Sequence, residues 1–332
     1  MKRSLILISS VAGLALAAVA AHANDSTAST SAGGLVLRQT NDIDMVCEDL
    51  YVSVERIRVH YVFRNRTARD VNVTVAFPMP DRDLGAERES DVGFPSDFHT
   101  RVAGRPVAAT LERHATLHGR DYTALLSGLH LPLAPDANGT AAIMAALNRL
   151  TAAQKAELRR LGLIDGDTYD QGQGMEEHLV PMWTVRDTWY WQQTFPAGRD
   201  LLVDHEYRPG AGSSVGTGLA MPDYRNTADG RREAATFCAT PDFAASLDRL
   251  RRAGGEGAEL PDYRIGYILR TGANWRSPIG DFRLVVDKGS PRNLVSFCEE
   301  GVRRISPTQF EVRHRNWRPT RDLNVLIVQP SG

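Results

Sequence analysis

The stretch from Arg56 to Pro80, RIRVHYVFRNRTARDVNVTVAFPMP, constrains the fold more than any other part of the chain. Ile57, Val59, Tyr61 and Phe63 alternate with Arg56, Arg58, His60 and Arg64, and then Val71, Val73, Val75 and Phe77 alternate with Asn72, Thr74 and Ala76. A period of two marks strands with one buried face and excludes an amphipathic helix. The polar connection Asn65 to Asp70 predicts an antiparallel hairpin, ended by Pro78 and Pro80, which have no amide proton to give a ladder. The expectation is a β-rich protein built outward from this pair.

Lys2 and Arg3 precede an uncharged apolar run from Leu5 to Ala20, and Ala21-His22-Ala23 supplies the small residues a signal peptidase needs. Residues 1–23 therefore read as a secretory signal peptide, with the mature chain starting near Asn24. No cysteine at the cleavage point suggests a lipid anchor, and no later stretch approaches the roughly 20 apolar residues that span a bilayer. The product is expected in the periplasm or outside the cell, with no transmembrane segment after cleavage. Without Lys2 and Arg3 the balance is 37 basic against 40 acidic side chains, and the arginines are dispersed. That balance argues against nucleic acid as a partner.

The cysteines are Cys47, Cys238 and Cys298. In an oxidising compartment Cys238 and Cys298 are the expected pair, since both follow a Phe in the same C-terminal stretch. Cys47 would then be a buried, unreactive thiol rather than a reactive one.

Asn24 to Gly34 is rich in Ser, Thr, Ala and Gly and reads as a loose leader. Phe94 to Leu111 suggests a second hairpin turning at Gly104-Arg105. Helical spacing appears from Asp121 to Leu129 and again from Thr140, with Ile143, Met144, Leu147 and Leu150 on one face. Thr151 and Gln154 have capping-box spacing, and Gly162 stands where a helix would end. Residues 115–180 thus read as a helical insertion. From Trp183 the strand pattern returns and continues through Leu201 to Tyr207. A Gly-rich loop, Arg208 to Gly218, reads as mobile, and Thr240-Pro241-Asp242 starts a helix that ends at Gly254-Gly255. Five further strands follow, within Tyr263–Arg270, Phe282–Asp287, Leu294–Cys298, Phe310–His314 and Leu323–Val328.

Several of these stretches together resemble one family: NDSTAS after the leader, GGLVL, EDLYVS, VAFPMPD, YWQQTFPAG with VDHEYRPGAG, and YILRTGANWRSPIGDFRLVVDKG. In order and wording they are similar to the secreted bacterial proteins grouped as domain of unknown function 4424. The resemblance covers almost the whole mature chain and implies no catalytic residue, cofactor or metal. The strand, polar turn, strand and FPMP also resemble the hairpin of vault-protein-type interaction domains, which implies an immunoglobulin-like or related sandwich.

Each chemical constellation has a plainer structural reading. Gly212-Ser213-Ser214-Val215-Gly216 fits a G-x-S-x-G elbow, but the strand before it ends at Tyr207, too far upstream for a sharp turn. His205, between Asp204 and Glu206, could be a general base, yet alternation puts it with Leu201, Val203 and Tyr207 on an inward face. His114 and His118, with Asp121 close behind, would share a helix face only if that segment were helical. Glu176, Glu177 and His178 read as a solvated face. Trp183, Trp189, Tyr190 and Trp191 form the one aromatic concentration: either an open platform for a glycan or partner, or core with Tyr190 beneath a covering segment. Trp275 and Trp317 read as packing lids.

The reading is a mainly β (α+β) protein, an immunoglobulin-like or related β-sandwich with a helical insertion and a second C-terminal β unit. The expected divisions are residues 24–114 with 181–222, 115–180, and 223–332. The expected function is non-catalytic binding or interaction in the periplasm or cell envelope, with an envelope protein or glycan as partner and Trp183, Trp189, Tyr190 and Trp191 as the surface. The alternative is a hydrolase acting on envelope material.

Overall fold

The computed structural model describes residues 26–31, 34–85, 94–136, 139–170, 174–255 and 258–330. The expected signal peptide, residues 1–23, lies outside them. The protein is mainly β, as expected, and among the described residues the α-helices fall in two places, Thr123–Arg160 and Pro222–Gly254.

An eight-stranded sheet forms one layer, in the order Arg303–Arg304, Gln309–Trp317, Ile279–Asp287, Ile43–Val52, Ile57–Asn65, Asp200–Arg208, Ser96–Val102 and Arg105–Val107. Two smaller sheets face it. One runs Arg120–Asp121, Thr110–Leu117, Thr184–Phe195, Val71–Pro78, Ser26–Ser31 and Gly34–Arg38, with Arg82–Asp83 also on Thr184–Phe195. The other runs Gly212–Ser214, Asp262–Tyr267, Leu323–Val328 and Leu294–Phe297. The alternation read in the sequence is the cause of this layering. Ile57, Val59, Tyr61 and Phe63 are buried, and they meet Val75, Phe77, Trp191 and Phe195 of one facing sheet and Ile265, Tyr267 and Val325 of the other. Phe63 stands edge-on to Phe195, and the hydroxyls of Tyr61 and Tyr267 are 2.9 Å apart across the layers. Burying each such side chain contributes about 1.5–3 kcal/mol.

The expected hairpin is not formed. Ile57–Asn65 pairs with Ile43–Val52 and Asp200–Arg208, whereas Val71–Pro78 pairs with Thr184–Phe195 and Ser26–Ser31. The two strands belong to opposite layers and face each other through the core. Alternation reports that a face is buried, and it cannot distinguish a neighbour in the sheet from a strand across it. The corner between them is held by Asn65, buried, whose Nδ2 donates to the carbonyls of Arg69 and Phe195 and whose Oδ1 accepts from the amide of Thr67.

Three other expectations need correction. The leader includes a strand, Ser26–Ser31, whose small polar side chains are satisfied in place: Thr27 Oγ1 donates to Arg38 O and Asn274 Nδ2 donates to Ser26 Oγ. Within 115–180, residues 115–117 end the strand Thr110–Leu117, and after the helices Thr123–Gly128, Ala141–Asn148 and Ala152–Arg160 comes an antiparallel ribbon, Ile164–Asp170 with Met175–Pro181. Spacing does not announce the ribbon, because IDGDTYD has no apolar alternation. The capping box of Thr151 and Gln154 is present, and Gly162 has φ +74°, where a side chain would be strained. Finally, the expected boundary at residue 223 does not separate sheets, because Ile279–Asp287 pairs in parallel with Ile43–Val52.

The C-terminal helices cover the outer side of the four-stranded sheet. Ala228–Thr236 and Pro241–Gly254 place Phe237, Phe243 and Leu247 on Leu326 and Val328. Thr240 caps the second helix by accepting from the amide of Phe243, with Pro241 at its first position. Cys238, between the helices, is joined to Cys298 at the end of Leu294–Phe297 with Cα atoms 5.1 Å apart. This cover frames the candidate site.

Candidate ligand cleft

The sequence-predicted residues are not brought together. His205 is 2% exposed, ringed by Tyr61, Phe77, Phe98 and Trp191, with its Nδ1 3.0 Å from Thr100 Oγ1. It is a core histidine, as alternation indicated. Ser214 is at the edge of the four-stranded sheet, where its hydroxyl donates to Asp262 at 2.7 Å. Asp262 also pairs with Arg264, so Ser214 is tied into an ion-pair network and not aimed at an imidazole. His114 lies on a strand and His118 in the turn after it, at φ +49°, so neither is helical. Nδ1 of His114 is 2.6 Å from Asp121. Burial acts to raise the Asp121 carboxyl, but hydrogen bonds from Thr123 and His114 outweigh it and hold it below the usual range. Glu177 pairs with Arg159. Among the described residues no three His, Cys, Asp or Glu side chains converge as metal ligands.

The aromatic concentration is divided between two cores. Trp183 is fully buried with the helical segment and donates Nε1–H to Leu133 O, and Trp191 is buried in the main core. Trp189 stacks on Phe98 at 5.1 Å and is half-buried, as is Tyr190 on the opposite side of the strand. The four do not make one open platform, because strand alternation and two separate covers consume most of their area. Trp275 and Trp317 pack on Phe63 and Phe282, as lids would.

A site that sequence reasoning passed over lies where the C-terminal helix runs back toward the four-stranded sheet. It is a cleft of about 660 Å³. One wall is the segment after Gly212–Ser214, with Val215, Thr217, Ala220 and Met221; the other is the end of helix Pro241–Gly254, with Arg251 and Arg252, followed by Ala258 to Leu260. The amide of Thr217 donates to Leu260 O at 2.8 Å, which ties the two walls together at the base. Gly218 is required here, since a Cβ on it would lie 2.7 Å from the ring of Tyr224. Tyr224 is fixed in turn by donating to Glu233, and its phenol is pushed up by burial and by that carboxylate. Arg225 anchors the same loop to Asp248 and to the carbonyls of Leu219 and Ala244.

The cleft has three chemical features. Its lip is apolar and open: Val215 is 74% exposed and Met221 50%. Thr217 at its base has a buried hydroxyl, Oγ1, with no hydrogen-bond partner among the described residues. Its rim carries two guanidinium groups, Arg251 and Arg252, both exposed and with Glu259 opposite. Two cations in the last turn of a helix also complement its dipole, which alone would account for their presence there. The unsatisfied hydroxyl has no such account, because a buried polar group without a partner costs about 1–3 kcal/mol. The sequence signal is Val215 within the Gly-rich loop Arg208 to Gly218, which otherwise reads as mobile, and Met221 just beyond it.

The family model described as Domain of unknown function (DUF4424) matches residues 23–326. The chain belongs to that family. A search of curated proteins returned no match. Among solved structures, this DUF4424 chain is similar to a Legionella pneumophila protein described as a "putative nutrient binding protein". The two share 16% identity with a TM-score of 0.46, over 92% of this chain and 70% of the other. A likeness at that level carries no argument about what this DUF4424 chain does. The cleft has to be read from its own chemistry.

Proposed function

We propose that the protein is an exported, non-catalytic binding protein of the periplasm or cell envelope, and that it holds a small ligand with an apolar body and an acidic head in the cleft beside Thr217. The observation that carries this reading is the buried hydroxyl of Thr217, without a hydrogen-bond partner among the described residues, at the base of an open, apolar-lipped cleft. A ligand oxygen accepting that hydrogen bond removes the cost of leaving it unmade, while Val215, Ala220, Met221 and Leu260 cover the apolar body. Arg251 and Arg252 supply charge complementarity at the rim. A disulfide, and the absence of any helix among the described residues long and apolar enough to cross a membrane, fit an extracellular or periplasmic setting.

The test is displacement of anilinonaphthalene sulfonate, an apolar anion, by decanoate. The expected result is one saturable site whose affinity falls about tenfold in an Arg251→Gln, Arg252→Gln double variant. Absence of a saturable site, or equal affinity in the variant, would remove the reading.

A further inference from the structure

The solvent face of the eight-stranded sheet carries a second depression, of about 440 Å³, on the far side of the core from the cleft-bearing sheet. Its floor is set by strand register. One row across the sheet is Arg283, Asp49, His60, Asp204 and Arg101; the next contains Tyr51, Arg58, Glu206 and His99. Their chain neighbours Leu50, Val59, Thr100 and His205 point inward and are buried, so this face looks outward by strict alternation.

A solvated face with mixed charges is ordinary in a sheet, and usually its acids and bases neutralise each other. Here the neutralisation is one-sided. Each carboxylate already has a basic partner: Asp49 is held by Arg283, Asp204 by Nδ1 of His60 at 2.6 Å, and Glu206 by Arg56. The hydroxyl of Tyr51 donates outside the groove, to Asp287, while its ring carries the guanidinium of Arg58 at 4.7 Å. Arg58, Arg101 and His99 make no hydrogen bond or ion pair to protein among the described residues. The groove therefore contains satisfied acids and two guanidinium groups, Arg58 and Arg101, each able to donate in pairs to a planar or tetrahedral anion, with the imidazole of His99 beside them.

We infer that this groove is an anion-binding site, taking a small ligand with two or more acidic oxygens, carboxylate or phosphate. Arg58 and Arg101 sit on strands separated by one intervening strand and in adjacent rows, roughly 12 Å apart at the backbone. That span suits a ligand whose acidic groups are several bonds apart better than a monoanion. Nδ1 of His60 is occupied by Asp204, so Nε2 is the ring nitrogen left to meet the ligand. The site is independent of the cleft and of the function proposed for it.

The experiment is calorimetric titration of citrate and of inorganic pyrophosphate into the full mature chain at low salt, with Arg58→Gln, Arg101→Gln and Arg64→Gln variants. Arg64 is on the same sheet but is paired with Asp200, and serves as the control. The expected result is saturable binding of at least one anion. It should weaken about tenfold in Arg58→Gln and in Arg101→Gln, stay unchanged in Arg64→Gln, and fall as salt is added. The tighter of the two anions identifies the carboxylate or phosphate source. No saturable binding of either anion at millimolar concentration, or binding unaffected by both groove variants, would overturn the inference. Both positions are exposed, and melting curves for each variant check that a loss is not unfolding; each variant is an independent test if the other fails to fold. Thr217→Val should leave anion binding here intact, which separates failure of this site from failure of the cleft.

Discussion

Oδ1 of Asp204 is 2.6 Å from Nδ1 of His60, its partner on the adjacent strand, whereas the next residue, His205, turns away into the core against Phe77 and Trp191. The two histidines therefore have opposite consequences when removed. His205→Ala empties a packed site and strands the Thr100 hydroxyl, at a cost of about 3 kcal/mol. His60→Ala breaks a pair in which both side chains are more than 40% exposed, and should change stability by less than about 1 kcal/mol. Urea unfolding of both variants checks the contrast; equal losses would contradict this assignment of faces.

The Cys238–Cys298 bond closes a loop with a sequence separation of 60. In the chain-entropy account this constrains the unfolded chain by roughly 4 kcal/mol. A Cys238→Ser, Cys298→Ser variant should melt well below the wild type, and reductant should lower the wild-type melting point toward that of the variant without affecting the variant itself.

Much of the fold was legible because the sheet period is local. His205 facing inward, the Thr151 capping box, the helix after Thr240 and the five late strands could all be read from spacing and caps. What was not legible was non-local. Asn65 turning the chain into the opposite layer, and Ile279–Asp287 joining Ile43–Val52 in parallel, depend on partners distant in sequence, which alternation cannot name. The candidate cleft was hidden for the same reason: Thr217, Arg251 and Leu260 converge only after the helix Pro241–Gly254 has packed. The Trp183 to Trp191 cluster reads as a candidate surface because spacing shows the aromatic density, but not that two separate cores bury Trp183 and Trp191.

Glu311 accepts from Arg283 at 2.8 Å, from Arg313 at 3.3 Å and from Arg303 at 2.9 Å. The contacts with Arg283, first, and Arg313 lower its carboxyl from 4.5 to about 2 against the opposing effect of burial. Because the folded value is depressed, the stabilisation is fully present above about pH 4.5 and is lost as pH falls toward about 2. Glu311→Gln should be less stable at neutral pH and should lose less stability between those two values. Urea midpoints measured across the acid range check this; parallel curves would contradict it.

Cys47 is half-buried, and its thiol is pushed up first by burial and then by the carboxylates of Asp281, Asp49 and Glu48. The thiolate is the reactive form, so iodoacetamide should label native Cys47 far more slowly than the urea-unfolded chain at the same pH. An Asp49→Asn, Asp281→Asn variant should label faster. Rapid labelling of the native wild type would show that the thiol is not suppressed.

The most direct measurement for the account as a whole is a paired calorimetric titration of decanoate into the wild type and Thr217→Val. Valine keeps the shape of threonine and removes only the hydroxyl that lacks a partner among the described residues. The account predicts a variant that melts no lower than the wild type, because a buried unsatisfied group has been removed, yet binds decanoate about tenfold more weakly. Equal affinity in both proteins, or no saturable binding in the wild type, would contradict the claim that this cleft holds the ligand.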